Sequence, residues 1–302
     1  MLQRQFMKPG LLCVPCTVNA AYDMASKATG NEKAILRILF DTFEWLQKAI
    51  EEETSPNILH TQVYRMVQRS TGVTDPFKIL KKESNNAALR IYPDIRKTVE
   101  AEDPVEALRL CLKAAIVGNM IDFEVHGHRF SLENLFSQFR NYLKEPLAID
   151  DVEKLCKAVE KGKKILYLTD NAGEIVFDKL VSTCLRNRWG CRVTMVVKEK
   201  PILNDATVED AEQIRLDEAC DRVITTGDDT IGIVMSRVSE EFKQALREAD
   251  VVISKGQGNL ESLTGFEENI GRPVCYVLRV KCDVIAKHLN VPSGSNIIRM
   301  IK

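Results

Sequence analysis

An acid and an amide, Asp170 and Asn171, stand together where the apolar run "KILYLT" breaks off, and Gly173 and Glu174 follow before a helical pattern begins. A carboxylate that ends a buried run is costly unless it is paired or metal-bound. Further on, "NDAT" supplies Asn204 and Asp205, and "KGQGN" places Lys255 beside Gly256, with Gly258 and Asn259 close behind. Hard oxygen donors of the carboxylate and amide type suit Mg²⁺ or Mn²⁺. A lysine beside a glycine-rich turn suits a phosphoryl oxygen, because ammonium and exposed backbone N–H groups both favour anions. A cation and a phosphate are the parts required for phosphoryl transfer to water.

Each feature also has a structural reading. Asn171 and Glu174 fit a capping box, as do Thr207 and Asp210. Asp228 and Asp229 in "TGDDTIG" are ordinary turn formers, and the glycines of "KGQGN" are ordinary turn chemistry. That stretch is no Walker loop, since its lysine precedes the glycines. "GNMID", Gly118 to Asp122, reads from its spacing as a C-cap glycine and a polar turn. Convergence of several strand ends is what favours a site over these separate explanations.

The elements that carry these residues fall into two halves. Up to about residue 148 the periodicity is helical. In "NEKAILRILFDTFEWLQKAIEEE" the residues Ile35, Ile38, Leu39, Phe43 and Leu46 recur at helical steps and so share one face. Gly72 ends another helix, while Asp103 and Pro104 form an N-cap and first-turn pair. From 149 to 302, apolar runs rich in β-branched residues alternate with amphipathic helices. The runs are 164–169, 192–197, 222–226, 250–254 and 274–280; the helices include 175–187, 208–220 and 236–248. This is the grammar of βαβ units. The expected fold is α/β: a three-layer α/β/α sandwich with a mainly parallel sheet (149–302), preceded by an all-helical domain (1–148). In such sheets ligands gather beyond the carboxyl ends of the strands, which is where the acids, amides and Lys255 lie.

Bulk composition narrows the classes. The chain has 302 residues, 45% hydrophobic and 28% charged, with a net charge of -1, so nothing draws it to nucleic acid or anionic lipid. No run approaches the ~20 apolar residues of a membrane span, and the start lacks a signal-peptide pattern, so a cytoplasmic location is expected. Nine cysteines without an export signal favour thiols or a metal over disulfides. Most, such as Cys111, Cys184, Cys220 and Cys275, sit in apolar runs and read as small buried hydrophobes. Only Cys13 and Cys16, in "CVPC", have motif spacing: half of a zinc pattern, or a redox pair. Cys275, Cys282 or one of the four histidines could complete such a site, but no spacing selects among them.

"DNAGE", "NDAT", "KGQGN" and "GNMID", in this layout, resemble the damage-control phosphatases, metal-dependent phosphatases long grouped as a domain of unknown function. The N-terminal "CVPC" and the length resemble the stand-alone archaeal and bacterial branch. The resemblance runs from Cys13 to about Lys281 and implies an α/β/α sandwich with a helical N-terminal domain. It implies a divalent ion (Mn, Co, Ni or Mg) held by Asp170, Asn171 and Asp205, and a phosphate-binding lysine at Lys255. It also implies motif residues at Asn119 and Asp122 from the helical domain. "RVK", Arg279 to Lys281, stands near the family's later basic motif, with different spacing. The expected activity is hydrolysis of phosphomonoesters of small phosphorylated metabolites, sugar phosphates or damaged phosphometabolites. Asp170 is then ligand and candidate nucleophile, Lys255 and the Gly256 backbone hold phosphoryl oxygens, and Glu174, Asn204 and Lys281 line the substrate. Two rivals stay open: an S-adenosylmethionine-dependent methyltransferase, which would usually show more than one glycine after the first strand, and a non-enzymatic metal- or thiol-linked binding protein built on Cys13 and Cys16.

Overall fold

The computed structural model describes residues 7–100, 102–118 and 132–301. Among them the chain first forms α1 (Cys13–Ala28), α2 (Glu32–Glu51), α3 (Pro56–Thr71), α4 (Lys78–Glu100), α5 (Pro104–Val117) and α6 (Leu132–Leu143). Then come β1 (Leu147–Asp150), α7 (Val152–Lys161), β2 (Lys164–Leu168), α8 (Glu174–Trp189), β3 (Arg192–Val197), α9 (Val208–Gln213) and β4 (Arg222–Thr225). The chain closes with α10 (Glu240–Glu248), β5 (Val251–Lys255), α11 (Gln257–Leu263), α12 (Glu267–Ile270), β6 (Val274–Arg279), α13 (Asp283–Leu289) and β7 (Asn296–Ile301).

The seven strands form one sheet in the order β1-β7-β6-β5-β2-β3-β4. β2 through β6 are parallel; β7 runs antiparallel to β6 and parallel to β1. Strand alternation divides the sheet's side chains between two cores. Ile165, Tyr167, Met195, Ile253 and Val277 face one, with α5 and α8, and Leu166, Leu168, Val252, Tyr276 and Leu278 face the other, with α10 and α13. The expected α/β sandwich with a mainly parallel sheet is therefore present. From β2 the chain winds outward through β3 to β4, then returns to β5 on the other side of β2. The gap between β2 and β5 is thus the point where winding reverses, the standard place for a ligand in open α/β sheets.

The helices before the sheet do two different things. α1–α3 build their own cluster around Ala21, Ile38, Tyr64 and Val67, which also takes in Ile202 and Ile231 from loops after β3 and β4. Asn57 Nδ2 donates to the Ile231 carbonyl at 2.9 Å, and the Ile231 N–H donates to Thr61 Oγ1 at 3.1 Å, so α3 is seated on that loop. α4–α6, by contrast, belong to the core on one face of the sheet. The division expected at 148/149 falls inside β1, and α5 lies so close to α8 that a Cβ on Gly118 would sit 2.9 Å from the Glu174 Cα. Gly118 keeps ordinary helical dihedrals (φ −50°, ψ −28°), so it serves that contact and is not a left-handed cap.

Other local expectations shift. Phe43, placed on the buried face of α2, is 50% exposed; Ile38 and Leu46 carry the contact instead. The helix expected over 208–220 stops at Gln213, because Arg215 takes φ +55° and turns the chain. The helix expected from 236 begins at Glu240, where Ser239 Oγ accepts from the Phe242 N–H at 3.1 Å. β1 and β7 were not anticipated. Among the described residues no helix is long and apolar enough to cross a membrane.

Candidate active site

Backbone hydrogen bonds stitch the first two motifs together. Beyond β2 the Asp170 carbonyl accepts from the Ala206 N–H at 2.8 Å, and the Ala172 N–H donates to the Asn204 carbonyl at 2.9 Å. Between these bonds Asn171 and Asp205 form an antiparallel bridge. Residues that are distant in sequence thus become cross-strand neighbours, which is why Asp170, Asn171 and Asp205 share one corner. Asn85 of α4 holds the turn from behind: its Oδ1 accepts from the Gly173 N–H at 2.7 Å and its Nδ2 donates to Asp210 Oδ1 at 2.9 Å.

β5 closes the corner from the other side. The Asp170 carboxylate lies directly against Gly256, where a Cβ would fall 2.0 Å from Asp170 Oδ2, and Gly256 has φ +81°. Both facts require glycine there. The Gly256 N–H is already spent on the Val277 carbonyl at 3.1 Å, continuing the sheet ladder. Its expected role as a phosphoryl donor is therefore corrected: the residue makes room for Asp170.

The side chains form a continuous polar network. Asn171 Nδ2 donates to Asp170 Oδ2 (3.0 Å) and to Glu174 Oε1 (2.6 Å). No described group donates to Asn171 Oδ1, so the amide oxygen stays available. The capping box expected of Asn171 and Glu174 is absent: the N-cap is Gly173, and Glu174 turns its carboxylate to Asn171 and to Lys255. Thr207 and Asp210 do behave as expected, Asp210 Oδ2 accepting from the Thr207 N–H at 2.9 Å. Lys255 is 0% exposed and donates to Glu174 Oε2 at 2.8 Å, with Asp178 Oδ1 at 3.3 Å; Tyr167 Oη donates to the same Asp178 oxygen at 2.7 Å. The ammonium expected to meet a phosphoryl oxygen is thus committed to two carboxylates beneath the site.

Asn204 contributes its carbonyl to the stitch, and its side chain is half-buried. Lys281 is exposed, its N–H held by Gln257 Oε1 at 3.1 Å, and its charge acts on Asp170. Asp228 and Asp229 are engaged by Arg237 and Arg65, so they remain turn residues. Asn119 and Asp122 lie outside the described residues.

One residue that the sequence reading passed over is Lys198, at the end of β3. It is buried 3.7 Å from Asp205 Oδ2, and donates to the Thr230 and Gly232 carbonyls at 2.8 and 2.6 Å. Asp178 was missed as well, because a carboxylate inside an amphipathic helix reads as solvated. The signal for Lys198 was its place directly after an apolar strand, the same signal that marked Asp170.

Four acids (Asp170, Glu174, Asp178, Asp205) meet two buried lysines (Lys198, Lys255), a formal excess of two negative charges when every group is ionised. Burial, reinforced by Glu174 and Asp205, holds the Asp170 carboxyl well above the usual range, although the residue keeps a partial opening to solvent. Burial pushes Asp205 up to about 6, against the pull of Lys198 and Lys81. It does the same for Asp178, to about 6, against Lys255 and the Tyr167 hydrogen bond. Surplus acid charge beside a free amide oxygen fits a divalent cation of the hard, oxygen-preferring kind. Among the described residues no three His, Cys, Asp or Glu side chains surround one point, and the set at this corner has an amide as its third donor.

Raised carboxyl pKa values make the metal-free protein pH-sensitive. The folded state keeps protons that the unfolded chain releases, so this stability is full below the ordinary carboxylate range and is lost as pH rises through about 6. In chelator, the melting temperature of the wild type should fall relative to Asp205→Asn between about pH 4 and about pH 7, and added Mn²⁺ should restore it. Calorimetry across that range checks this; a wild type that gains on the variant as pH rises would refute it.

A mainly parallel sheet whose switch point gathers acids, an amide and buried lysines defines an α/β protein with a polar site where such sheets take ligands. The profile of the damage-control phosphatase ARMT1-like domain matches residues 12–297. A protein of Archaeoglobus fulgidus named damage-control phosphatase is 33% identical over 98% of this chain and 100% of its own. A Pyrococcus horikoshii protein with the same description is 35% identical over 96% of each, and an uncharacterized protein of Methanocaldococcus jannaschii is 37% identical over 95% of this chain and 93% of its own. The crystal structure of a DUF89 family protein from Pyrococcus horikoshii superposes with a TM-score of 0.89 at 33% identity, covering 98% of this chain and 100% of that one. The chain belongs to the ARMT1-like damage-control phosphatase family.

Proposed function

We propose that this protein is a divalent-metal-dependent phosphatase that hydrolyses phosphomonoesters of small metabolites, sugar phosphates or damaged phosphometabolites. The observation that carries the proposal is the backbone stitch of Asn171 to Asp205 at the sheet's switch point, which sets two carboxylates and an amide at one corner. An ion held by Asp170, Asn171 and Asp205, whether Mn²⁺, Co²⁺, Ni²⁺ or Mg²⁺, would polarise phosphoryl oxygens and offset the charge that develops on them.

The other groups have supporting tasks. Asn171, its NH₂ shared between Asp170 and Glu174, is held so that its oxygen would be left for the ion. Lys255 acts as a positioning residue, holding Glu174 and through it the Asn171 amide. Lys198 offsets Asp205 from beneath. Lys281, exposed and near enough for its charge to act on Asp170, would meet a substrate phosphate.

The test is a panel of phosphate esters assayed after chelation and then with each of the four ions. Release of inorganic phosphate that returns only with added ion is expected. No release from any ester with any ion would overturn the proposal.

A further inference from the structure

The "CVPC" motif finds partners in the fold. Cys13 and Cys16 occupy the first turn of α1, three residues apart and so on one helix face, with no side chain capping that end. Cys16 Sγ lies 3.8 Å from His60 Nε2 of α3. Zinc–sulfur and zinc–nitrogen bonds of ordinary length set this edge of a tetrahedral site at about 3.6 Å.

A third thiol comes from the far end of the chain. Val284 packs against the small cluster that holds Cys13, and a Cβ on Gly10 would fall 2.8 Å from Val284 Cγ2, so the chain entering α1 rests on the start of α13. Cys282, the N-cap of α13, is two residues from that contact and half-buried. Its Sγ is 3.6 Å from Gln257 Nε2, which donates to Glu261 Oε1 at 3.0 Å. Burial raises both CxxC thiols above their ordinary pKa, with Cys282 and Glu261 adding to the rise. Neither thiol is thus set up as a free thiolate, and a cation that displaces the protons is what would stabilise the anions.

We propose that Cys13, Cys16, Cys282 and His60 bind a structural zinc ion, separate from the ion at Asp170, Asn171 and Asp205, which fastens α1 and α3 to the turn between β6 and α13. No three of these side chains yet surround one point. Cys16 is exposed and Cys282 half-buried, so both thiols are free to turn onto an ion. Three cysteines and one histidine form a closed set with no open position, which is the pattern of a structural rather than a hydrolytic zinc. The site borders the catalytic corner through the chain itself: Lys281 precedes Cys282, and Gln257 follows Gly256. This proposal is independent of the phosphatase reading.

Cobalt(II) alone is the probe, added to the full-length chain after chelation under reductant. The wild type and Asp170→Asn should both develop a thiolate-to-cobalt charge-transfer band, and zinc should bleach it. Cys16→Ser and Cys282→Ser should lose most of that band, with circular dichroism confirming that each is folded. Zinc should also protect the three thiols from a thiol reagent in the wild type. Absence of the band in the wild type, or its full retention in Cys282→Ser, would overturn the proposal. So would a Cys13–Cys16 disulfide as the sole product, found by mass spectrometry.

Discussion

Asp170→Asn should lower metal-stimulated phosphate release about a thousandfold, roughly 4 kcal/mol of transition-state stabilisation at 1.36 kcal/mol per factor of ten. The same variant, stripped of metal, should melt higher than stripped wild type at neutral pH. Both effects come from one cause. The Asp170 carboxylate is crowded by Glu174 and Asp205 and desolvated, so the ionised group is unfavourable in the folded protein until a cation joins it. An amide keeps the shape, can still accept from Asn171, and removes the repulsion. It also removes the charge that binds the ion. Turnover and melting temperature, with and without Mn²⁺, check the pair of effects. A variant that keeps full metal-stimulated activity would remove Asp170 from the site, and one that melts lower without metal would contradict the electrostatics.

Lys255→Met should be the most destabilising single change in the polar network. The ammonium is fully buried, and Glu174 and Asp178 both lean on it. Removing one partner of a buried ion pair costs about 3–5 kcal/mol, because the charge left behind has neither water nor a counterion. Here two carboxylates are left. The added substitutions Glu174→Gln and Asp178→Asn should recover a large part of the loss, since a neutral network needs no ammonium. Denaturant unfolding of the single and triple variants measures this. If the triple variant is no more stable than Lys255→Met, the loss lies in packing and not in charge. Activity should remain low in the triple variant, because Glu174 no longer has a fixed charge with which to orient Asn171.

Much of this was legible in the chain. The five central strands lie within a residue of the apolar runs that announced them, because strands buried on both faces have little choice but β-branched and aliphatic residues. The acids and amide were legible because they end such runs. What stayed hidden depends on contacts between distant segments. β1 is four residues with alternating burial, and β7 follows the last recognisable unit, so neither carries a pattern strong enough to stand alone. The direction of Lys255 could not be read from "KGQGN", since only the packing of α8 against β5 shows that two acids wait beneath it. Phe43 looked buried because periodicity gives a face but does not say how much of that face is covered. His60 meets Cys16 only because α3 packs on α1, a contact between segments distant in sequence.

The stitch between the turns that carry Asp170 and Asp205 has a bearing on how such a site can change over generations. The bonds that bring Asp170 beside Asp205 run through carbonyls and N–H groups, which nearly every amino acid possesses. A lineage can therefore exchange the side chains on this frame without losing the frame. The chemistry of the corner can drift by point mutation, while the geometry that gathers its side chains is inherited intact with the backbone.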